Sequence, residues 1–233
     1  MAIVIGDIHG CFKTFEALLN KLPDDYIYLV GDLIDRGPSS KKVIQFLIDH
    51  PEIKSVKGNH EEWALSVLEN PGFGDVRAWT HPRNGGSATL RSYGEAWENC
   101  RKPFKDYFPQ EHLDYLENLP EHLIIDDSLF LSHSSYCGFD WNSEEDLKDI
   151  RSWNKARSLL WHRGEPKEVI INDKKYFHIF GHTPVPGAEI TSYYANIDTG
   201  ACFNYKEAIK EGYGILTAIQ YPSLKVWTQL NID

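Results

Sequence analysis

No apolar run in the sequence is long enough to cross a membrane or to serve as a signal peptide. Ahead of the first polar turn stand only Met1-Ala2-Ile3-Val4-Ile5, with no basic flank. Cysteine is sparse, and its four copies, Cys11, Cys100, Cys137 and Cys202, show no CxxC spacing. Neither a disulfide framework nor a thiolate zinc site is indicated, and a reducing cytoplasm fits best. Basic residues are short too: 24 Lys and Arg stand against 34 Asp and Glu, a formal charge of -10. A domain that grips extended nucleic acid carries a basic face, so neither extended nucleic acid nor a membrane is an expected partner. Internal repeats, low-complexity tracts and an interdomain linker are lacking as well. A chain of 233 residues then reads as one domain spanning 1–233.

What is present is a series of short runs rich in Val, Ile, Tyr and Phe that read as buried strands: Ile3 to Ile5, Ile27 to Val30, Ile53 to Val56, Leu129 to Leu131 and Phe177 to Phe180. Between the early runs, Phe12, Phe15, Leu19 and Leu22 share one helical face. Val43, Ile44, Leu47 and Ile48 share another, opened by Pro38-Ser39 and stopped before Pro51. Strand alternating with helix implies an α/β fold with parallel pairing. Glu189 to Asp198 and Tyr213 to Thr228 alternate in a β-like way, which suggests a second sheet packed on the first. Residues 71–120 are richer in Gly, Pro and aromatics, include a helical piece from Gln110 to Leu119, and read as an insertion or cap over one edge.

Ligands of open α/β sheets bind at the carboxyl ends of the strands. Here the five runs end in GDIHG (Gly6 to Gly10), GDLIDRG (Gly31 to Gly37), GNHE (Gly58 to Glu61), SHS (Ser132 to Ser134) and GHTP (Gly181 to Pro184). One Gly-Asp pair or one strand-end His is ordinary turn chemistry. Five strand ends offering Asp, Asn or His to one edge describe a shared metal site. Carboxylate, amide oxygen and imidazole without thiolate suit Mn, Fe or Zn. An Asp between two ligand sets can bridge two ions about 3.5 to 4 Å apart, a spacing that clamps a phosphoryl oxygen and activates a water.

This motif set resembles the calcineurin-like metallophosphoesterases, and within them the phosphoprotein phosphatase branch in its compact bacterial serine/threonine phosphatase form. The resemblance runs from Gly6 to Gly200, with Ile197-Asp198-Thr199-Gly200 after GHTP, and more weakly Asn84-Gly85-Gly86 and Ser92-Tyr93-Gly94, belonging to it. It implies a four-layer α/β/β/α sandwich around a central two-sheet core. It also implies two divalent ions, manganese first with iron or zinc as alternatives. Asp7 and His9 would hold one ion and Asn59, His133 and His182 the other, with Asp32 as the bridge. His60 matches the general acid and Asp35 the carboxylate that orients it. Arg36 matches a phosphate-gripping arginine; Arg163 is the choice for a second, with Arg151 and Arg157 nearby. Ser134-Ser135-Tyr136 departs from the Ala-Gly that commonly follows the first late His of the family. Glu61 is assigned a structural role, holding its loop or capping the helix that follows.

The expected activity is hydrolysis of phosphate monoesters of proteins or small molecules by direct attack of a metal-activated water, as in serine/threonine protein phosphatases. The alternative is a nucleotide-processing hydrolase, since diadenosine tetraphosphatases share the early motifs. A non-catalytic scaffold of the same fold is a third class, but such proteins tend to lose ligands or the acid, and this chain keeps them.

Overall fold

The computed structural model describes residues 1–69, 72–94, 103–138 and 159–233. Strands β1 (Ala2–Ile5), β2 (Tyr26–Leu29) and β3 (Lys54–Ser55) run parallel, connected by α1 (Phe12–Leu19) and α2 (Ser40–Asp49). These are the first three expected runs. Helix α2 buries Val43, Ile44 and Leu47 of its expected face, while α1 buries Phe15 with Leu18 and leaves Phe12, Leu19 and the following Leu22 partly buried against the same core. Full burial of such a side chain contributes about 1.5 to 3 kcal/mol, so the apolar stripe rather than end capping holds these helices to the sheet.

After β3 come α3 (Asn59–Glu69), α4 (Phe73–Trp79), α5 (Gly86–Ser92), a 3-10 turn (Phe104–Tyr107) and α6 (Gln110–Glu117). Val76, Trp79, Leu90, Leu113 and Leu116 from this stretch join the same buried cluster as Phe15, Leu18 and Leu47. The stretch thereby shares the core that covers the outer face of the first sheet.

The second sheet has the order β4 (His122–Ile125), β5 (Leu129–Ser132), β7 (Lys174–Phe180), β9 (Tyr194–Asn196), β8 (Glu189–Ile190), with β6 (Val169–Ile171) paired to the start of β7. Strands β5, β7 and β9 are mutually parallel. The hairpins β4–β5 and β6–β7 turn at Asp126-Asp127 and Asn172-Asp173, all four with positive φ, as a tight turn between twisted strands requires.

A short helix, α7 (Lys206–Lys210), precedes β10 (Ile215–Tyr221) and β11 (Lys225–Leu230). These last strands do not extend the second sheet. They close the first, in the order β11-β10-β1-β2-β3, with β10 antiparallel to β1 (Ile5 opposite Ala218). Leu216 through Gln220 are all buried, because α1 covers one face of β10 and the second sheet the other. A strand enclosed on both faces loses strict alternation. The sheets meet through Val4, Val30, Val56 and Ile219 on one side and Leu129, Leu131, Ile179 and Ala195 on the other. Beyond the second sheet, Leu159, Val169 and Ile171 pack on Phe130; residues 139–158 lie outside the described part.

Candidate metal centre

The carboxyl ends of β1, β2, β3, β5 and β7 carry Asp7, Asp32, Asn59, His133 and His182, and the fold brings all five together, with His9, Asp35, Arg36 and His60 among them. Every one of these but Arg36, which is partly buried, is buried. Five of the nine hold left-handed backbone: His9 (φ 46°), Asp32 (49°), Asp35 (71°), Arg36 (65°) and His182 (71°). Asp and His enter that region more readily than most residues, yet clustering of this kind is a mark of functional sites.

Two imidazoles of the candidate ligand set, those of His9 and His133, have their protons placed by a backbone carbonyl. His9 Nδ1 donates to Ile34 O at 2.9 Å and His133 Nδ1 to Val30 O at 2.9 Å, which leaves each Nε2 as a lone pair. His133 Nε2 lies 2.8 Å from Asn59 Oδ1 and 3.1 Å from His182 Nδ1, and those two are 2.8 Å apart. Asp32 Oδ1 is 3.3 Å from the same Nε2, while Asp32 Oδ2 is 3.4 Å from His9 Nε2. The Nε2 lone pairs of His9 and His133 thus each face an Asp32 oxygen, and acceptors facing acceptors in a buried site repel unless a cation lies between them, so the donor set fits a metal ion.

Electrostatics separates the four histidines. Burial pushes His9, His133 and His182 down, His182 to about 2, so all three are neutral as ligands must be. Burial acts on His60 in the same direction, but the Asp32 charge together with the hydrogen bond and charge of Asp35 outweigh it, and its pKa is raised. Burial alone would likewise raise Asp32; the surrounding His133, His60, His9 and Arg36 instead hold it well below the usual carboxylate range. Asp7 is raised, first by burial and then by the charges of Asp198 and Asp32. Such crowding of carboxylates is relieved by a cation.

His60 Nδ1 is 2.7 Å from Asp35 Oδ2. Arg36 donates through one terminal nitrogen to His9 Nε2 and lies 3.1 Å from His60 Nε2 through the other. Arg163 is exposed, and its charge reaches His133, His182 and Asp198. Arg151 and Arg157 lie outside the described residues. The Ser134-Ser135 pair that departs from the family pattern holds the segment bearing Arg163: Ser134 Oγ accepts from His162 N at 3.2 Å, and Ser135 Oγ is 2.8 Å from His162 Nδ1.

Glu61 ties two loops together. Its Oε2 accepts from the N–H groups of Asp32 (2.9 Å) and Gly58 (2.7 Å), and its Oε1 from those of Leu33 (2.8 Å) and Ile34 (3.2 Å). Gly58 must be Gly, since a Cβ there would stand 2.2 Å from Asp32 Oδ1. Burial, then the Asp32 charge, push the Glu61 carboxyl up to about 7 against the pull of these N–H bonds. Glu61→Gln turns an NH₂ toward two of the four donors. It is expected to lower stability by about 2 to 4 kcal/mol, read from denaturant unfolding; an unchanged midpoint would disprove the tie.

Asp198, at the end of β9, is a member of the cluster not singled out from sequence as a site residue. It is buried, raised to about 6 chiefly by burial, and its charge acts on Asp7 and Arg36. The signal for it was a sixth polar strand end, Ile197-Asp198-Thr199-Gly200.

Residues 2–211 match the family model described as calcineurin-like phosphoesterase. The chain belongs to the calcineurin-like phosphoesterase family. It is 31% identical over 209 residues to serine/threonine-protein phosphatase 2 of Escherichia coli (strain K12), covering 85% of this chain and 86% of that protein. It is 28% identical over 246 residues to the bis(5'-nucleosyl)-tetraphosphatase PrpE of Anoxybacillus flavithermus, covering 95% of this chain and 91% of that protein. Among solved structures, a Saccharomyces cerevisiae protein serine/threonine phosphatase similar to human PP5 superposes with a TM-score of 0.63 at 17% identity, covering all of this chain and 80% of that one. Family membership and the converging donor set make the chain a metal-dependent phosphoesterase. Among the described residues no helix is long and apolar enough to cross a membrane.

Proposed function

We propose that the protein is a dinuclear phosphomonoesterase of the serine/threonine protein phosphatase type. In this reading Asp7 and His9 hold one ion, Asn59, His133 and His182 the other, and Asp32 is shared. The observation that carries it is the direction of the two Asp32 oxygens, one toward His9 and the other toward His133. Manganese is the first choice and iron or zinc the alternatives, since nitrogen and oxygen donors without thiolate suit all three. When bound, the ions supply Lewis acidity toward phosphoryl oxygens and lower the pKa of the attacking water.

The chain's own residues do the remaining work. His60, held through Nδ1 by Asp35, delivers its proton to the leaving oxygen, and the Asp35 carboxylate favours the protonated imidazole. Arg36 donates to His9 Nε2, the lone pair that would hold an ion, and its guanidinium has the geometry to grip a phosphate there. Arg163, whose charge reaches His133, His182 and Asp198, is the choice for a second phosphate-gripping arginine. Arg36→Ala is expected to keep both ions while turnover falls, with Arg163→Ala following the same pattern more mildly. Turnover and phosphate inhibition unchanged in Arg163→Ala would remove that residue from the site.

The second reading is a nucleotide-processing hydrolase, favoured by a match to the tetraphosphatase that spans 95% of this chain. The scaffold reading has less support, because the full donor set and His60 are kept. A cytoplasmic setting accords with the free thiols of Cys11, Cys137 and Cys202. The deciding experiment offers metal-loaded protein an aryl phosphate, a phosphoserine peptide, a phosphotyrosine peptide and a dinucleoside tetraphosphate side by side. Fastest turnover of the phosphoserine peptide supports the proposal. Preference for the dinucleotide replaces it with the second reading, and inactivity on all four leaves the scaffold.

A further inference from the structure

Asp35 is a fully buried carboxylate, and a buried carboxylate needs its lone pairs filled. His60 fills one position on Oδ2. Two more are filled from the segment at 72–94: Trp79 Nε1–H donates to Oδ2 at 2.9 Å, and the Thr89 hydroxyl donates to Oδ1 at 2.6 Å. Thr89 Oγ1 also accepts from the Asp35 N–H at 2.9 Å and lies 3.0 Å from Ser40 Oγ. A carboxylate only accepts and an amide N–H only donates, so the Thr89 hydrogen points to Oδ1 and the Ser40 hydroxyl donates to Thr89. One hydroxyl thus holds both the backbone and the carboxylate of Asp35.

The next residue is held from the same segment. Arg36 N–H donates to Gly85 O at 3.2 Å. Gly85 sits at φ 86°, and a Cβ on it would stand 2.3 Å from Arg36 N, so only glycine lets the two backbones approach. This is a physical reason for the glycine of Asn84-Gly85-Gly86 that faces the site. Asp35 and Arg36 are consecutive left-handed residues, a conformation that persists only where its surroundings over-determine it.

We propose that Trp79 and Thr89 are positioning residues that fix the plane of the Asp35 carboxylate so that Oδ2 stays on His60 Nδ1. The inference rests on the reading of His60 as general acid. The terminal torsion of an Asp side chain is broad, so one hydrogen bond from His60 would leave the carboxylate free to rotate. Donors on both oxygens remove that freedom. With the carboxylate fixed, the imidazole keeps one orientation, and its Nε2 keeps one aim into the site. The segment at 72–94 thereby acts on the leaving group without touching it.

The test uses the metal-loaded full chain and a series of phosphate monoesters of graded leaving-group basicity. Thr89→Val keeps the shape and deletes the donor. It is expected to lower kcat on the phosphoserine peptide by about 10-fold or more, the usual cost of losing an orienting partner. On an aryl phosphate, whose leaving group needs little protonation, the change stays within about 2-fold. Thr89→Ser restores the hydroxyl and should restore the wild-type slope. Trp79→Phe, which also loses packing, should steepen the dependence in the same sense and serves if Thr89→Val fails to fold. Equal losses on every ester, or no loss, overturn the inference. His60→Asn is run beside them: if it steepens the dependence and the Thr89 and Trp79 variants do not, the inference alone fails. If His60→Asn adds no steepness, the general-acid reading fails and takes the inference with it.

Discussion

His60→Asn is expected to retain both ions and the fold while lowering turnover of alkyl phosphates by about 10² to 10⁴, the range for a lost general acid. The fold should survive because Asn carries an N–H that can still meet Asp35 Oδ2, the acceptor that His60 Nδ1 meets at 2.7 Å. The ions should survive because the lone pairs that converge on His133 and His9 come from other residues, although His60 Nε2 lies 3.9 Å from Asp32 Oδ2. What is lost is the one imidazole of the site whose pKa is raised rather than lowered. A phosphoserine leaving oxygen is strongly basic and departs poorly without a proton; an aryl oxide departs well. The ratio of losses on the two ester types therefore reports the proton itself. Metal content and steady-state rates on both esters make the measurement. Loss of metal, or equal loss on both esters, would assign His60 to ligation instead.

The placement of the candidate ligands at strand ends was legible because strand, turn and polar residue are contiguous in sequence. Gly-Asp, Gly-Asn and Gly-His pairs after apolar runs mark both the end of a strand and the residue it delivers. The partners that hold the residues around them were less legible, since they come from afar in the chain. Asp35 reaches Trp79 and Thr89 across 44 and 54 residues. The latter two stand in a stretch whose sequence reads only as an insertion or cap over one edge. The assignment of Glu61 to a structural role agrees with its four backbone bonds, although only the one to Gly58 is local; those to Asp32, Leu33 and Ile34 come from a distant loop and were not readable. The destination of the last hairpin was not readable. Alternation tells which face of a strand is covered, but not which sheet it joins, and β10 pairs with β1 across the length of the chain.

The bridging role proposed for Asp32 leads to the other large effect. Asp32→Asn is expected to weaken both ion sites together, with activity lost to match. Its two oxygens serve different neighbours, Oδ2 facing His9 Nε2 at 3.4 Å and Oδ1 facing His133 Nε2 at 3.3 Å and accepting from His60 N at 3.1 Å. An asparagine has one oxygen and one NH₂. If the oxygen stays toward His133, the NH₂ turns its hydrogens toward the His9 lone pair and closes that site with a donor. The reverse orientation puts the NH₂ against both His133 and the His60 N–H, which cannot accept it. Either way one set gains a donor where it needs an anion, and both sets lose a full negative charge that His133, His60, His9 and Arg36 now surround. Replacing a ligand held by one ion alone, as His182→Asn would for the second set, should instead remove one ion and leave the other. Titration of the two variants with manganese, followed by metal analysis after desalting, separates the cases: fewer than one ion per chain in Asp32→Asn, and about one in His182→Asn, where the surviving set keeps its neutral imidazole and its carboxylates. One full ion retained by Asp32→Asn would show that the carboxylate belongs to a single site, and the shared-ligand reading would have to be given up.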